Sequence, residues 1–196
     1  MTDAVRRRAA EAMRRTPRAD FLPPEEAARA GHDGPLPIGG GQTSSQPRTV
    51  LDMLELLDVR PGQRVLDVGA GSGWTTAILA DLVGPQGRVT GVERVSALAD
   101  RAASSVASAG RPWATVHRAQ PDVLGLPGEA PYDRVLVSAM ADRMPTSLVE
   151  QLVVAGVLVA PVAGRMLRVT RTTGAPVVEE HGWYSFVPLV VDGDDW

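Results

Sequence analysis

The chain has no cysteine. That excludes disulfides, thiolate nucleophiles and thiolate metal sites together, and it leaves the compartment open. Histidine is scarce too: His32, His117 and His181 lie far apart, without ligand-like spacing, so no metal site is expected. Aromatic residues make up only 4% of the chain, and Trp74, Trp113 and Trp183 read as packing rather than as base-stacking platforms. No apolar run approaches the ~18 residues of a membrane span or has the make-up of a signal peptide, so a cytoplasmic protein is expected. Charge of one sign is also lacking. The formal net charge is −3, which gives no global attraction to nucleic acid or anionic membrane. What remains is ordinary for a folded domain: 196 residues, 44% hydrophobic and 22% charged, enough for one sizeable core.

Residues 3–16 read as a helix with Val5, Ala9, Ala12 and Met13 along one stripe. The Arg6-Arg7-Arg8 and Arg14-Arg15 groups read as a solvated helix face rather than as an RNA contact. Residues 18–41 are rich in proline and glycine and hold no sustained period. So long a segment ahead of a sheet reads as a functional lid. A second helix is expected over 46–58, with Val50, Met53, Leu54 and Leu57 inward and Pro47 in its first turn. Strands are expected near 64–69, 88–93, 114–118, 133–139, 156–162, 166–171 and 181–190. Helices are expected near 74–83, 95–108 and 145–154. Alternating strand and helix predicts a parallel, doubly wound sheet, and the loss of helices after residue 156 predicts an antiparallel addition. The acidic tail 192–196 is expected to fray, with Trp196 able to dock.

The densest signal runs from Arg64 to Glu93. The apolar run RVLDV meets Gly69-Ala70-Gly71-Ser72-Gly73; a helical pattern follows, then a second apolar run ending in Glu93. This is one βαβ half of a nucleotide-binding sheet. The acid falls where such folds place a carboxylate for a ribose. The loop is GxGxG, not the GxGxxG of dinucleotide enzymes, and it lacks the Gly-Lys-Ser/Thr ending of a P-loop. Asp67 at the strand end would repel phosphate but could help hold an ammonium group. S-adenosylmethionine has ribose, adenine and ammonium but no phosphate, so it fits this pattern.

Stretches outside the loop carry a wider likeness: RADFLP (18–23), HDGPLPIGGGQTSSQP (32–47), VLDVGAGSG (65–73), VTGVER (89–94), EAPYDRVLVSAM (129–140), MPTSLVEQL (144–152), VLVAPV (157–162) and FVPL (186–189). By these the chain resembles protein-L-isoaspartate O-methyltransferases from end to end. The PLPIG…QT-x-SQP segment and FVPL are the more specific parts. The resemblance implies a single domain over 1–196, with N-terminal helices and a substrate lid in 1–60 and a core in 61–196. That core would be a doubly wound, mostly parallel, seven-stranded Rossmann-like methyltransferase sheet with an antiparallel C-terminal addition. It also implies a cytoplasmic monomer that methylates the abnormal carboxyl of isoaspartyl residues in damaged proteins, with no nucleic acid or membrane partner. The ester then closes to a succinimide, which reopens in part to normal aspartate.

Carried over by position, the resemblance makes Ser45 the catalytic serine, and Asp33, Pro35, Ile38, Gly39 and Thr43 the substrate side. Gly69, Ala70, Gly71, Ser72 and Gly73 become the cofactor loop, with Glu93, Arg94, Asp67 and Asp122 also toward the cofactor. Ser45 would also suit the N-cap of the helix that opens at Pro47. The chain departs from the family pattern at Ser44, His32, Gln120-Pro121-Asp122, Met140-Ala141-Asp142 and Ala155-Gly156. Methyl transfer to an ionised carboxylate needs orientation rather than a strong base, and a serine with backbone amides supplies that. Three readings stand at this level: isoaspartyl repair, methylation of another carboxylate such as an aspartate in a ribosomally made peptide, and cofactor binding without catalysis.

Overall fold

A computed structural model describes residues 3–190. The tail over 192–196, Trp196 included, lies outside the described residues. The elements follow in chain order: α1 (Asp3–Arg14), a 3-10 turn (Arg18–Phe21), α2 (Pro24–Ala27), β1 (Leu36–Gly39), β2 (Gln42–Ser44), α3 (Pro47–Leu57), β3 (Arg64–Val68), α4 (Trp74–Val83), β4 (Arg88–Glu93), α5 (Ser96–Ser108), β5 (Ala114–Arg118), β6 (Tyr132–Val137), α6 (Thr146–Glu150), β7 (Leu152–Val162), β8 (Arg165–Thr170) and β9 (Val177–Trp183).

Seven strands form one sheet in the order β5-β4-β3-β6-β7-β8-β9. The pairs from β5 through β7 are parallel, and β8 and β9 add antiparallel. The sheet is therefore the doubly wound, mostly parallel one expected, with its antiparallel addition. β7 and β8 join through Ala163 and Gly164, both at positive φ (46° and 84°), as a two-residue hairpin turn of matching twist requires.

The strands bury both faces, so they read as continuous apolar runs. Val65 of β3, Leu136 of β6 and Val157 and Val159 of β7 face one cluster; Leu66, Val68, Val135, Val137, Leu158 and Ala160 face the other. Helices are divided unequally between the faces. α1, α3, α4 and α5 contribute to the first cluster, whereas the second is covered by α6 and by loop residues such as Leu124 and Leu126. α4 is buried nearly all round, which a helix wedged between α1 and the sheet demands. Two arginines of α1 are engaged rather than merely solvated: Arg6 pairs with Asp52 at 2.9 Å and Arg8 with Asp58 at 3.1 Å, clamping α1 to α3.

Four expectations need correction. Residues 18–41 are not without regular structure, since β1 and β2 pair antiparallel into a small separate hairpin. The helix expected over 145–154 stops at Glu150, and β7 begins at Leu152. Among the described residues the last strand is 177–183, not 181–190, and beyond it only Pro188 bridges, to Met140. Trp183 is no packing residue: it is 70% exposed, with the Arg165 guanidinium 3.7 Å above its ring.

Candidate active site

The strand order reverses between β3 and β6: β3 leads outward to β4 and β5, and the chain then crosses back to β6 on the other side of β3. In open sheets of this kind the crevice beyond the strands' carboxyl ends at that switch point is where a ligand enters. The glycine loop leaves β3 there. Gly69 and Ala70 both donate their N–H to Val92 O (2.9 and 3.1 Å), which ties the loop to β4.

A cavity of about 330 Å³ opens at this crevice. One side is the loop (Gly69, Gly71) with Glu93, Arg94 and Val95. A second is the hairpin (Gly40, Gln42, Thr43), and a third is the segment 187–190. Glu93 is 6% exposed, and its carboxylate clamps the loop. Oε2 accepts from Gly71 N at 2.9 Å, and Oε1 from Val95 N at 2.8 Å. Each oxygen keeps a further lone pair for a ribose hydroxyl.

Asp67 lies beneath the loop, fully buried. Its Oδ2 accepts from the hydroxyls of Thr75 (2.8 Å) and Thr76 (2.7 Å), while Oδ1 has no partner among the described residues. Burial raises its pKa to about 6; the two threonine hydroxyls pull the other way, and the charge of Glu93 adds to the rise. A buried acid with an unpaired oxygen under the loop, a clamped acid at its side and no anion-binding lysine fit S-adenosylmethionine better than any phosphate ester.

The loop residues do different things. A methyl on Gly71 would come within 3.2 Å of Ile38 Cδ1, so the hairpin closes down on the loop at that glycine. Gly73 (φ 87°) opens α4, and a side chain there would meet Val106 at 2.8 Å, so its smallness serves helix packing. Ala70 and Ser72 are buried and border a narrow crevice of about 30 Å³ under the hairpin instead of the main cavity. Asp122 is exposed at φ 59° and off the cavity wall. Gln120, Val123, Leu124 and Gly125 make that wall, so Asp122 does not take the place toward the cofactor that the resemblance implies.

On the acceptor side, a cavity of about 70 Å³ adjoins the first, lined by Pro35, Thr43, Ser45 and Phe186 among others. Asp33, Ile38 and Gly39 do not line it. Ile38 is 1% exposed and supports the glycine loop, and Gly39 (φ 89°) sits at the hairpin turn. Asp33 caps α3: its Oδ1 accepts from Arg48 N at 3.1 Å, and that bond, ahead of smaller effects, lowers its pKa. Ser45 is therefore not the cap. Gln46 holds the N-cap position without a side-chain bond, and Asp33 does the capping from across the loop.

Sequence reasoning passed over Arg18. It is 5% exposed and stacks over Trp74 at 5.5 Å. Its guanidinium donates to the carbonyls of Ala30 (3.4 Å), His32, Gly34, Ser44 and Ser45 (3.0 Å each), and to Ser44 Oγ (3.1 Å). Loss of hydration lowers its pKa, with Asp33 opposing. The Ser44 departure thus has a physical reason: its hydroxyl is the acceptor for Arg18 Nε. The other groups passed over are the cavity walls Ser138 and 187–190. Segment 187–190 is held by Met140 N–H to Val187 O (2.8 Å) and Leu189 N–H to Met140 O (2.7 Å).

A sequence model of the protein-L-isoaspartate(D-aspartate) O-methyltransferase family matches residues 3–193. The protein-L-isoaspartate O-methyltransferase of Methanopyrus kandleri is 46% identical over 188 residues, 93% of this chain and 83% of the relative. That of Aeropyrum pernix is 47% identical over 198 residues, 97% of this chain and 76% of the relative. A solved protein-L-isoaspartate O-methyltransferase superposes with a TM-score of 0.85 at 24% identity, over 95% of this chain and 62% of its own. A putative one from Plasmodium falciparum, solved with S-adenosyl-L-homocysteine, gives 0.81 at 23% identity, over 93% of this chain and 90% of its own. At such identities the two structures speak for the fold.

Proposed function

Because the chain belongs to the protein-L-isoaspartate(D-aspartate) O-methyltransferase family, we propose that it methylates the free carboxylate of isoaspartyl residues in damaged proteins, using S-adenosylmethionine. The observation that carries this reading is the junction of two cavities. One, about 330 Å³, has an acid and a glycine loop; the other, about 70 Å³, is lined by hydroxyls and by no lysine or arginine.

When bound, S-adenosylmethionine supplies an electrophilic methyl group on a sulfonium sulfur. Glu93 would accept the ribose hydroxyls, and Asp67 would supply negative charge beneath an ammonium group. Val92, Val95, Val123 and Leu124 offer apolar wall to a flat purine. Ser45 donates to one oxygen of the acceptor carboxylate and leaves the other free to attack. The hairpin covers the site and excludes water, so the chain contributes orientation rather than acid–base chemistry. Among the described residues, no helix is long and apolar enough to cross a membrane. The same reading takes the enzyme to be a cytoplasmic monomer with protein substrates.

Paired peptides that differ only in an isoaspartyl or aspartyl linkage, assayed with labelled S-adenosylmethionine, test the proposal. Methylation of the isoaspartyl form with little of the other is expected, since both carry the same charge and only geometry separates them. Preference for the aspartyl form would assign the chain to peptide tailoring, and methylation of neither would remove the carboxyl reading.

A further inference from the structure

At the switch point one polar group has no role in the reading so far. Ser138 follows β6 directly, beside Gly69. Its N–H donates to Val68 O at 2.8 Å, and its carbonyl carbon lies 3.7 Å from where a side chain on Gly69 would begin. It borders the cofactor-sized cavity, the acceptor cavity and the narrow crevice under the hairpin. Thr43 alone among the lining residues does the same. Thr43 is exposed, where water serves its hydroxyl, but Ser138 Oγ is buried with no hydrogen-bond partner among the described residues. A hydroxyl stripped of water with nothing in return is a group prepared for a ligand's acceptor.

Resting on the carboxyl-methylation reading, we propose that Ser138 is a second acceptor-side hydroxyl. Its O–H donates to the carboxylate oxygen that does not attack, from the sheet side, as Ser45 does from the lid. In the transfer, a lone pair of the attacking oxygen becomes the new O–C bond. The S–C pair stays on sulfur, one negative and one positive charge disappear, and no proton moves. Because negative charge on the carboxylate falls along the way, a cation beside it would stabilise the start more than the transition state and slow the reaction. Neutral hydroxyls orient with a smaller penalty of that kind, which accounts for an acceptor cavity lined by Thr43, Ser45, Thr49, Ser138 and Ser185 and by no cation. Two donors fix the plane of the carboxylate; one leaves it free to turn.

Ser138→Thr and Ser138→Val test this, since they differ in the hydroxyl and hardly in shape. Threonine should hold kcat/KM for the isoaspartyl peptide within about threefold of wild type, and valine should lower it about tenfold to hundredfold. By calorimetry, cofactor affinity should stay within about twofold in both. Peptide affinity measured with S-adenosylhomocysteine present should fall only with valine. Should neither branched side chain fold, Ser138→Ala replaces them: lost turnover at unchanged cofactor affinity supports the role. Valine matching threonine in rate and peptide affinity, or alanine matching wild type, overturns it and leaves the isoaspartyl reading intact. A wild type that methylates neither peptide overturns both.

Discussion

Asp67 and Ala155 show how single positions store energy that function or packing draws on. The Asp67 carboxyl titrates near 3.8 when unhindered and about 6 in the fold, so the folded state holds its proton more tightly. Its contribution to stability is therefore present below pH 3.8 and is lost as pH rises to about 6, by about 3 kcal/mol at about 1.4 per unit. Relative to Asp67→Asn, the wild type should gain stability by that order as pH falls from 6 to 4, read by urea unfolding. A cation over the loop favours the ionised form, so calorimetric cofactor affinity should weaken below pH about 6 in the wild type and lose that dependence in Asp67→Asn. Ala155, one of the departures from the family pattern, occupies φ 67°, in the left-handed region that favours glycine. Its backbone is held there by Ala155 N–H to Arg171 O at 2.8 Å. Ala155→Gly should raise unfolding free energy by about 0.5–1 kcal/mol, the left-handed strain outweighing the entropy that glycine adds to the unfolded chain. The place of Asp67 at the end of its strand was legible from RVLDV; its burial and its pairing with Thr75 and Thr76 depend on the turn of α4 and were not.

The hairpin is an element held by side chains from outside it. β1 and β2 have only four and three residues, too few to hold themselves. Arg18 gathers the strand-flanking carbonyls, and the Arg101 side chain donates to the carbonyl of Ile38. Arg18→Met would leave the Ala30, His32, Gly34, Ser44 and Ser45 carbonyls without that donor. It should destabilise by about 3 kcal/mol and raise the peptide KM while leaving cofactor affinity nearly unchanged. Arg18→Lys, with three donors in place of five, should recover part of both losses. Peptide kinetics beside urea melts check this. The hairpin escaped a reading by period because Leu36–Ser44 is mostly glycine, proline and polar residues, and its shape is set by a guanidinium from 18 positions upstream of Leu36. The cap of α3 escaped for the same reason: Pro47 announces the helix, but Asp33, 15 residues before Arg48, supplies the bond to it.

At the scale of the whole molecule, the parallel half of the sheet was legible because buried strands separated by amphipathic helices leave few other arrangements. The antiparallel half was read with shifted edges. Val153 and Val154 extend β7 back toward α6, where an apolar run alone does not separate strand from helix. FVPLV looks like a strand, yet it is held by two backbone bonds to Met140, because its place is the cavity wall. That wall fixes an order of events during synthesis. The hairpin face at 40–43 leaves the ribosome early, the glycine loop and Glu93 next, and the opposing face at 187–190 last. A nascent chain can thus complete β3, α4 and β4 without enclosing anything. The free energy that a bound small molecule lends to a native state by mass action reaches this one only when translation has passed residue 190.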